Sequence, residues 1–149
     1  MSPQNNLKAI SKSDPFVLLN WLQKNFIHTL PNGIHTDEEM RYAGDLLGRL
    51  TNEYAYLASL ETGLDLYVQS LKGRCGKKPS TKDPEEMAKY LVAKDEYDMM
   101  VNRKKAVSTF AEISKKSYNS VSRMITVRLK DLEELNMSES RAIRQPPHA

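Results

Sequence analysis

Between Pro84 and Pro146 the chain contains neither Gly nor Pro. A stretch that long without a helix breaker is most simply one very long α-helix, since these two residues are what ordinarily ends one. Its start is written in the residues just before it. Asp83 can accept from the first free backbone N–H groups, Pro84 sits where a missing N–H costs nothing, and Glu85 and Glu86 oppose the positive end of the helix dipole. We expect this helix to run from Asp83 to about Asn136, with shorter helices folded onto it. Val107, Phe110, Ala111, Ser114, Tyr118, Val121, Ser122, Ile125, Leu129 and Leu132 follow an eleven-residue repeat. At about 3.67 residues per turn, that repeat keeps one stripe on one side of the helix, and its plain meaning is packing.

The remainder of the chain is read as helical too. Low aromatic content (7%), 28% charged residues and only six Gly favour an all-α protein over a sheet protein. Residues 1–13 read as a flexible arm. Asp14-Pro15 repeats the Asp-Pro helix start, and Phe16, Leu19, Leu22 and Phe26 give a short amphipathic helix to about His28. Leu30-Pro31-Asn32-Gly33-Ile34 is a turn. Thr36 and Glu39 form a capping box opening a second helix to Lys72-Gly73. Its heptads place Met40, Leu47, Tyr54, Glu61 and Val68 at one core position and Ala43, Leu50, Leu57, Leu64 and Leu71 at the other. Glu61, the one charge in that seam, calls for a facing cation or an outward-snorkelling side chain. Residues 137–149 read as a flexible tail, leaving 14–136 as a single domain.

These lengths set an architecture: an all-α, elongated antiparallel helical hairpin or coiled coil of two long helices, with a short N-terminal helix packed on it. At 1.5 Å per residue the two helices span roughly 54 and 80 Å. If Leu71 lies beside Pro84, Thr36 falls beside about Asn119 and the long helix overhangs. The overhang carries Val121, Met124, Ile125, Leu129, Leu132 and Leu135, an apolar surface that asks for a second copy or another protein. The competing solution is a kink around Lys94 to Asp98 that folds the helix back into a four-helix bundle.

Charge is unevenly placed. Residues 72–130 carry 15 basic and 7 acidic side chains, against 5 and 8 in residues 1–71. The connecting loop KGRCGKKPSTK holds five cations in eleven residues and no acid, but its Gly73/Gly76 spacing does not fit the phosphate-cradling Walker pattern. Lys72, Arg74, Lys77 and Lys78 in the loop, with Lys105, Lys116, Arg123 and Lys130 along the long helix, are the candidate nucleic-acid-binding residues. Cations at helical spacing suit sequence-neutral attachment to a phosphate backbone. Intramolecular pairing with the acidic first third is the other use for such charges.

No catalytic set is legible. His28, His35 and His148 lack metal-ligand spacing with Cys75 or with each other, and no Ser-His-Asp, Cys-His or Glu-x-x-His arrangement is suggested. We expect no enzyme activity, no cofactor and no metal. The lone Cys75 forms no internal disulfide, no apolar run reaches the ~20 residues of a membrane span, and the polar N-terminus lacks a signal-peptide core. A cytoplasmic protein is therefore expected.

The segment from about Leu50 to Met137 resembles the small helical phage accessory proteins of the UvsY-type recombination-mediator family. The resemblance is carried by the helix end Leu66-Tyr67 to Gly73-Arg74, the basic linker, and Tyr118-Asn119-Ser120-Val121-Ser122-Arg123-Met124-Ile125-Thr126-Val127-Arg128. The helix around Trp21 has no counterpart there. The resemblance implies a self-associating, non-enzymatic accessory of the host-cell cytoplasm whose partners are single-stranded DNA or a nucleoprotein filament. The alternative expectation is a virion or assembly component, or a regulator that binds a host protein.

Overall fold

The computed structural model describes residues 3–80 and 82–144. The described chain is all-α: α1 (Pro3–Ile10), α2 (Pro15–Phe26), α3 (Asp37–Cys75) and α4 (Pro84–Arg144). The expected helix starts are present. Asp14 Oδ1 accepts from Phe16 N at 2.8 Å and Asp83 Oδ1 from Glu85 N at 3.0 Å, while Thr36 Oγ1 accepts from Glu39 N at 3.1 Å. α3 ends at Cys75, two residues past the expected Gly73. Gly76, at φ 63°, supplies the left-handed C-terminal residue, and its N–H bonds Lys72 O at 3.3 Å. α4 is uninterrupted through Lys94 to Asp98, so the expected alternative of a kink is not taken.

The chain divides into two compact units, and α3 and α4 contribute segments to both. Unit 1 comprises 1–28 and 52–114. Its core gathers Leu18, Leu22 and Phe26 of α2, Leu57, Leu60 and Leu64 of α3, and Met100, Val107, Phe110 and Ala111 of α4. The ring of Phe26 stacks on Tyr56 at 6.1 Å, and Trp21 meets Phe26 edge-on at 5.4 Å.

Two expectations change in this unit. Residues 3–13 of the expected arm are not loose, while 1 and 2 lie outside the described residues: α1 buries Ile10, packs Leu7 on the core, and Asn6 Nδ2 donates to Tyr56 Oη. A Cβ added at Gly63 would come within 2.6 Å of Leu7 Cδ2, so the missing side chain makes room for the Leu7 side chain in its present rotamer. The buried seam of α3 is also rotated. Leu60 is 1% exposed, whereas Glu61 lies at the half-exposed flank and Tyr54 is 38% exposed. Glu61 thus takes the edge position, from which it still acts electrostatically on Lys104 of the facing helix.

Unit 2 comprises 29–51 and 115–149 and has a smaller core: Ile34, Ala43, Leu46, Leu50 and Val121, flanked by Leu30, Met40, Leu47, Tyr118, Met124 and Ile125. Again the seam takes Leu46 in preference to Leu47. Tyr42 Oη donates to Thr29 O at 3.4 Å, fastening the turn to α3.

In each unit α3 and α4 run antiparallel, but the register differs from expectation. Leu71 lies beside Met99 and Met100 rather than near Pro84, and Cys75 and Gly76 lie beside Tyr90 and Lys94. The shift gives α4 a partner as far as Ile125. Val121, expected on an interface with another chain, is instead fully buried by its own, and Met124 and Ile125 pack on the same cluster. Residues 137–144, expected as flexible tail, continue α4; the rest of that expected tail, 145–149, lies outside the described residues. No described helix is long and apolar enough to cross a membrane.

Candidate nucleic-acid interface

The eight candidate cations fall in both units. In unit 1, Lys72 and Arg74 occupy the last turn of α3, Lys77 and Lys78 follow in the loop, and Lys105 lies on α4; all five are exposed. Gly76 ends α3 abruptly, so the two lysines after it leave the helix axis and stand in solvent rather than extending the last turn.

In unit 2, Lys116, Arg123 and Lys130 recur every seven residues on α4, and all are exposed. Seven residues is close to two turns, so the three cations share one face, about 200° around the helix from buried Val121. Asn119 and Thr126 lie between them and are exposed too. The Thr126 hydroxyl donates to Ser122 O at 3.0 Å, which leaves only its lone pairs to a ligand.

None of these eight cations makes a salt bridge among the described residues. The pairs that form there are Lys104 Nζ with Asp65 Oδ1 and His28 Nε2 with Glu53 Oε1, each at 2.8 Å. Intramolecular pairing with the acidic first third, the other use considered for the charges, therefore claims Lys104 but not its neighbour Lys105. Asp65 holds the Lys104 ammonium above the usual lysine pKa, chiefly through this hydrogen bond.

Sequence reasoning missed two functional-looking groups, Glu53 and Arg103, and left a third, Arg128, at the margin of the basic stripe. Glu53 occupies the rotated seam, where both carboxylate oxygens lie 2.8 Å from His28 Nε2. Arg103 is only 8% exposed, and its Nε donates to Ser13 O at 2.6 Å. Its signal was its spacing, three residues after Met100 and four before Val107, which puts it on the buried stripe. Arg128 has a buried Nε without a hydrogen-bond partner among the described residues. No group of His, Cys, Asp and Glu among the described residues could hold a metal ion.

Of the six residues expected at an oligomer interface, Leu129 (54% exposed) and Leu135 (55%) stand in solvent, and Leu132 is half-buried. Val127 and Met137 are exposed on the same helix end. No family model matches the chain, and neither a curated protein nor a solved structure matches it.

Proposed function

We propose that this chain is a non-enzymatic accessory protein of phage type that self-associates and binds single-stranded nucleic acid or a nucleoprotein complex, in the manner of a recombination or replication mediator. The observation that carries the reading is the state of its cations. Lys72, Arg74, Lys77, Lys78, Lys105, Lys116, Arg123 and Lys130 are all exposed and none has an ion-pair partner among the described residues. Unpaired cations at helical spacing meet a phosphate backbone through counterion release, without reading sequence. Self-association is supported by Leu129 and Leu135, apolar side chains left exposed on the last turns of α4.

The test is fluorescence anisotropy of a labelled single strand of ~30 nucleotides and of the matching duplex, at two salt concentrations. Tight binding that weakens steeply with salt is the expected result; no binding at low salt overturns the reading.

A second reading, a virion or assembly component or a regulator that binds a host protein, draws on α2. Phe16 is 78% exposed and Val17 62%, on the side of the helix away from Leu18 and Leu22, and Ile27, the residue that follows the helix, is 55% exposed. A protein of that kind co-purifies in a defined assembly whose stability changes little with salt.

A further inference from the structure

A cleft of about 420 Å³ opens within unit 1 where the end of α1, the last turns of α3 and the middle of α4 meet. Its volume lies within the roughly 300–1,000 Å³ of small-ligand sites. Three cations line it: Lys12 from the segment after α1, Arg74 from α3 and Arg103 from α4. Glu96 is the one carboxylate on the lining, so the cleft carries an excess of two positive charges. Leu71, Met99 and Met100 give it an apolar wall.

Arg103 is the unusual member. It is more than nine-tenths buried, yet among the described residues its guanidinium makes one hydrogen bond, from Nε to Ser13 O, and no ion pair. A guanidinium has five N–H donors, and no terminal nitrogen of Arg103 is both buried and unpartnered, so those N–H groups stay reachable from the cleft it lines. The Nε contact fixes the plane of the group and leaves the four N–H of its two terminal nitrogens for a ligand. Two hydroxyls beside it, Ser70 and Tyr67, have no hydrogen bond among the described residues and can donate as well. The third, Ser11, already donates to Lys8 O at 2.9 Å.

We propose that this cleft binds a phosphate ester: the phosphate on Arg103, Lys12 and Arg74, the organic part against Leu71, Met99 and Met100. A planar guanidinium fork fits two phosphate oxygens at once, and two more cations suit a doubly charged anion better than a carboxylate. The apolar wall favours an esterified phosphate over the free ion. Tyr67, 41% exposed at the cleft, offers a ring face to an aromatic or nucleobase group. A free mononucleotide and the phosphorylated end of a strand both supply such an ester, and the recognition chemistry is the same. The site shares Arg74 with the eight interface cations, but Lys12 and the buried Arg103 are not among them, so it does not rest on the proposed function.

The experiment is an NMR titration of the full chain with phenyl phosphate and, separately, inorganic phosphate, following backbone amides and the arginine Nε–H signals. Saturable shifts centred on Arg103, Ser11, Lys12 and Ser70 are expected, with phenyl phosphate the tighter ligand. Replacing both rim cations, Lys12→Ala with Arg74→Ala, should weaken binding at least about tenfold while leaving helicity unchanged. Arg103→Lys keeps the charge but removes the fork and should weaken it too. No shifts at about 20 mM ligand, corresponding to affinity weaker than any specific site needs, would overturn the proposal. So would shifts spread evenly over Lys77, Lys78 and Lys116, or undiminished binding by the double variant. A mononucleotide and a 5′-phosphorylated oligonucleotide then identify the source by which one shifts the same signals. Retention of phenyl phosphate binding in a Lys116→Glu, Arg123→Glu, Lys130→Glu variant separates the cleft from the nucleic-acid face, whichever of the two readings fails.

Discussion

Unit 1 and unit 2 use the same two long helices in different ways. Unit 1 adds α1 and α2 to them, and among the described residues eleven apolar side chains are buried in its core; unit 2 adds only the turn before α3 and buries five. The difference shows that a long amphipathic helix is stabilised by what covers it, since its own propensity contributes little. Where α2 and α1 cover them, α3 and α4 bury Leu57, Leu60, Leu64, Val107 and Phe110 nearly completely. In unit 2 the core ends at Ile125, and Val127, Leu129 and Leu135 stay exposed on a helix just as regular.

The largest expected effects test this contrast directly. Leu57→Ala in unit 1 and Leu46→Ala in unit 2 should each cost about 2–5 kcal/mol, with Leu57 toward the upper end because its surroundings have less freedom to collapse. Urea unfolding followed by circular dichroism measures both. A larger loss for Leu46→Ala would reverse the ranking of the two cores.

Charge reversal sharpens the comparison on the functional side. Lys116→Glu with Arg123→Glu and Lys130→Glu places all three changes in unit 2; Lys72→Glu with Lys77→Glu and Lys78→Glu places them in unit 1. Each triple should lower affinity for a single strand by about 10²-fold or more and flatten the salt dependence, with helicity intact. If one triple binds like the unaltered chain, its unit is not part of the interface.

Val121→Ala distinguishes an internal residue from an interfacial one. A buried valine should cost about 1–3 kcal/mol independently of protein concentration. A loss seen only on dilution would return Val121 to an interface between copies.

Smaller effects are expected from single contacts and glycines. A double-mutant cycle on His28→Ala and Glu53→Ala should give a coupling of about 1 kcal/mol, because the pair is largely shielded from solvent without being fully buried. Additive single losses would mean that the contact contributes nothing. The raised pKa of Lys104 means that the Asp65 contact stabilises below the unfolded lysine pKa and is lost as pH rises through the raised value. Asp65→Asn should therefore narrow the difference in stability between neutral and strongly alkaline solution. Finally, the glycines of α3 should respond with opposite signs. Gly48→Ala in unit 2, where a Cβ meets nothing within 4 Å, should gain about 0.5–1 kcal/mol. Gly63→Ala in unit 1 should lose stability as the Leu7 side chain is displaced, and a gain there would show that Leu7 repacks without cost.

Much of the local structure was legible. Asp14, Thr36 and Asp83 announce helix starts through short-range hydrogen bonds that need no distant partner, and all three occur. The stripe expected from Val107 to Leu132 identified the buried face of α4 as far as Ile125, because periodicity fixes which residues share a side, but Leu129 on the same stripe is exposed. α1 was not legible: eight residues are too few to be helical on their own, so only the notch at Gly63 and the contacts of Leu7 and Ile10 account for it.

The sequence by itself determined the all-α class, the helix starts and a long α4 without a helix breaker. All of these follow from the order of neighbouring residues. Tertiary structure decided the seam and the register. Leu46 and Leu47, and Leu60 and Glu61, are adjacent pairs either of whose members would have satisfied a heptad. Packing chose Leu46 and Leu60, in a seam that also sets Glu53 against His28. The same choice of register carried Val121 into the core and brought Arg103, Arg74 and Lys12 around one cleft. Such choices depend on the fit between surfaces far apart in the chain, which a pattern of spacings along one helix does not contain.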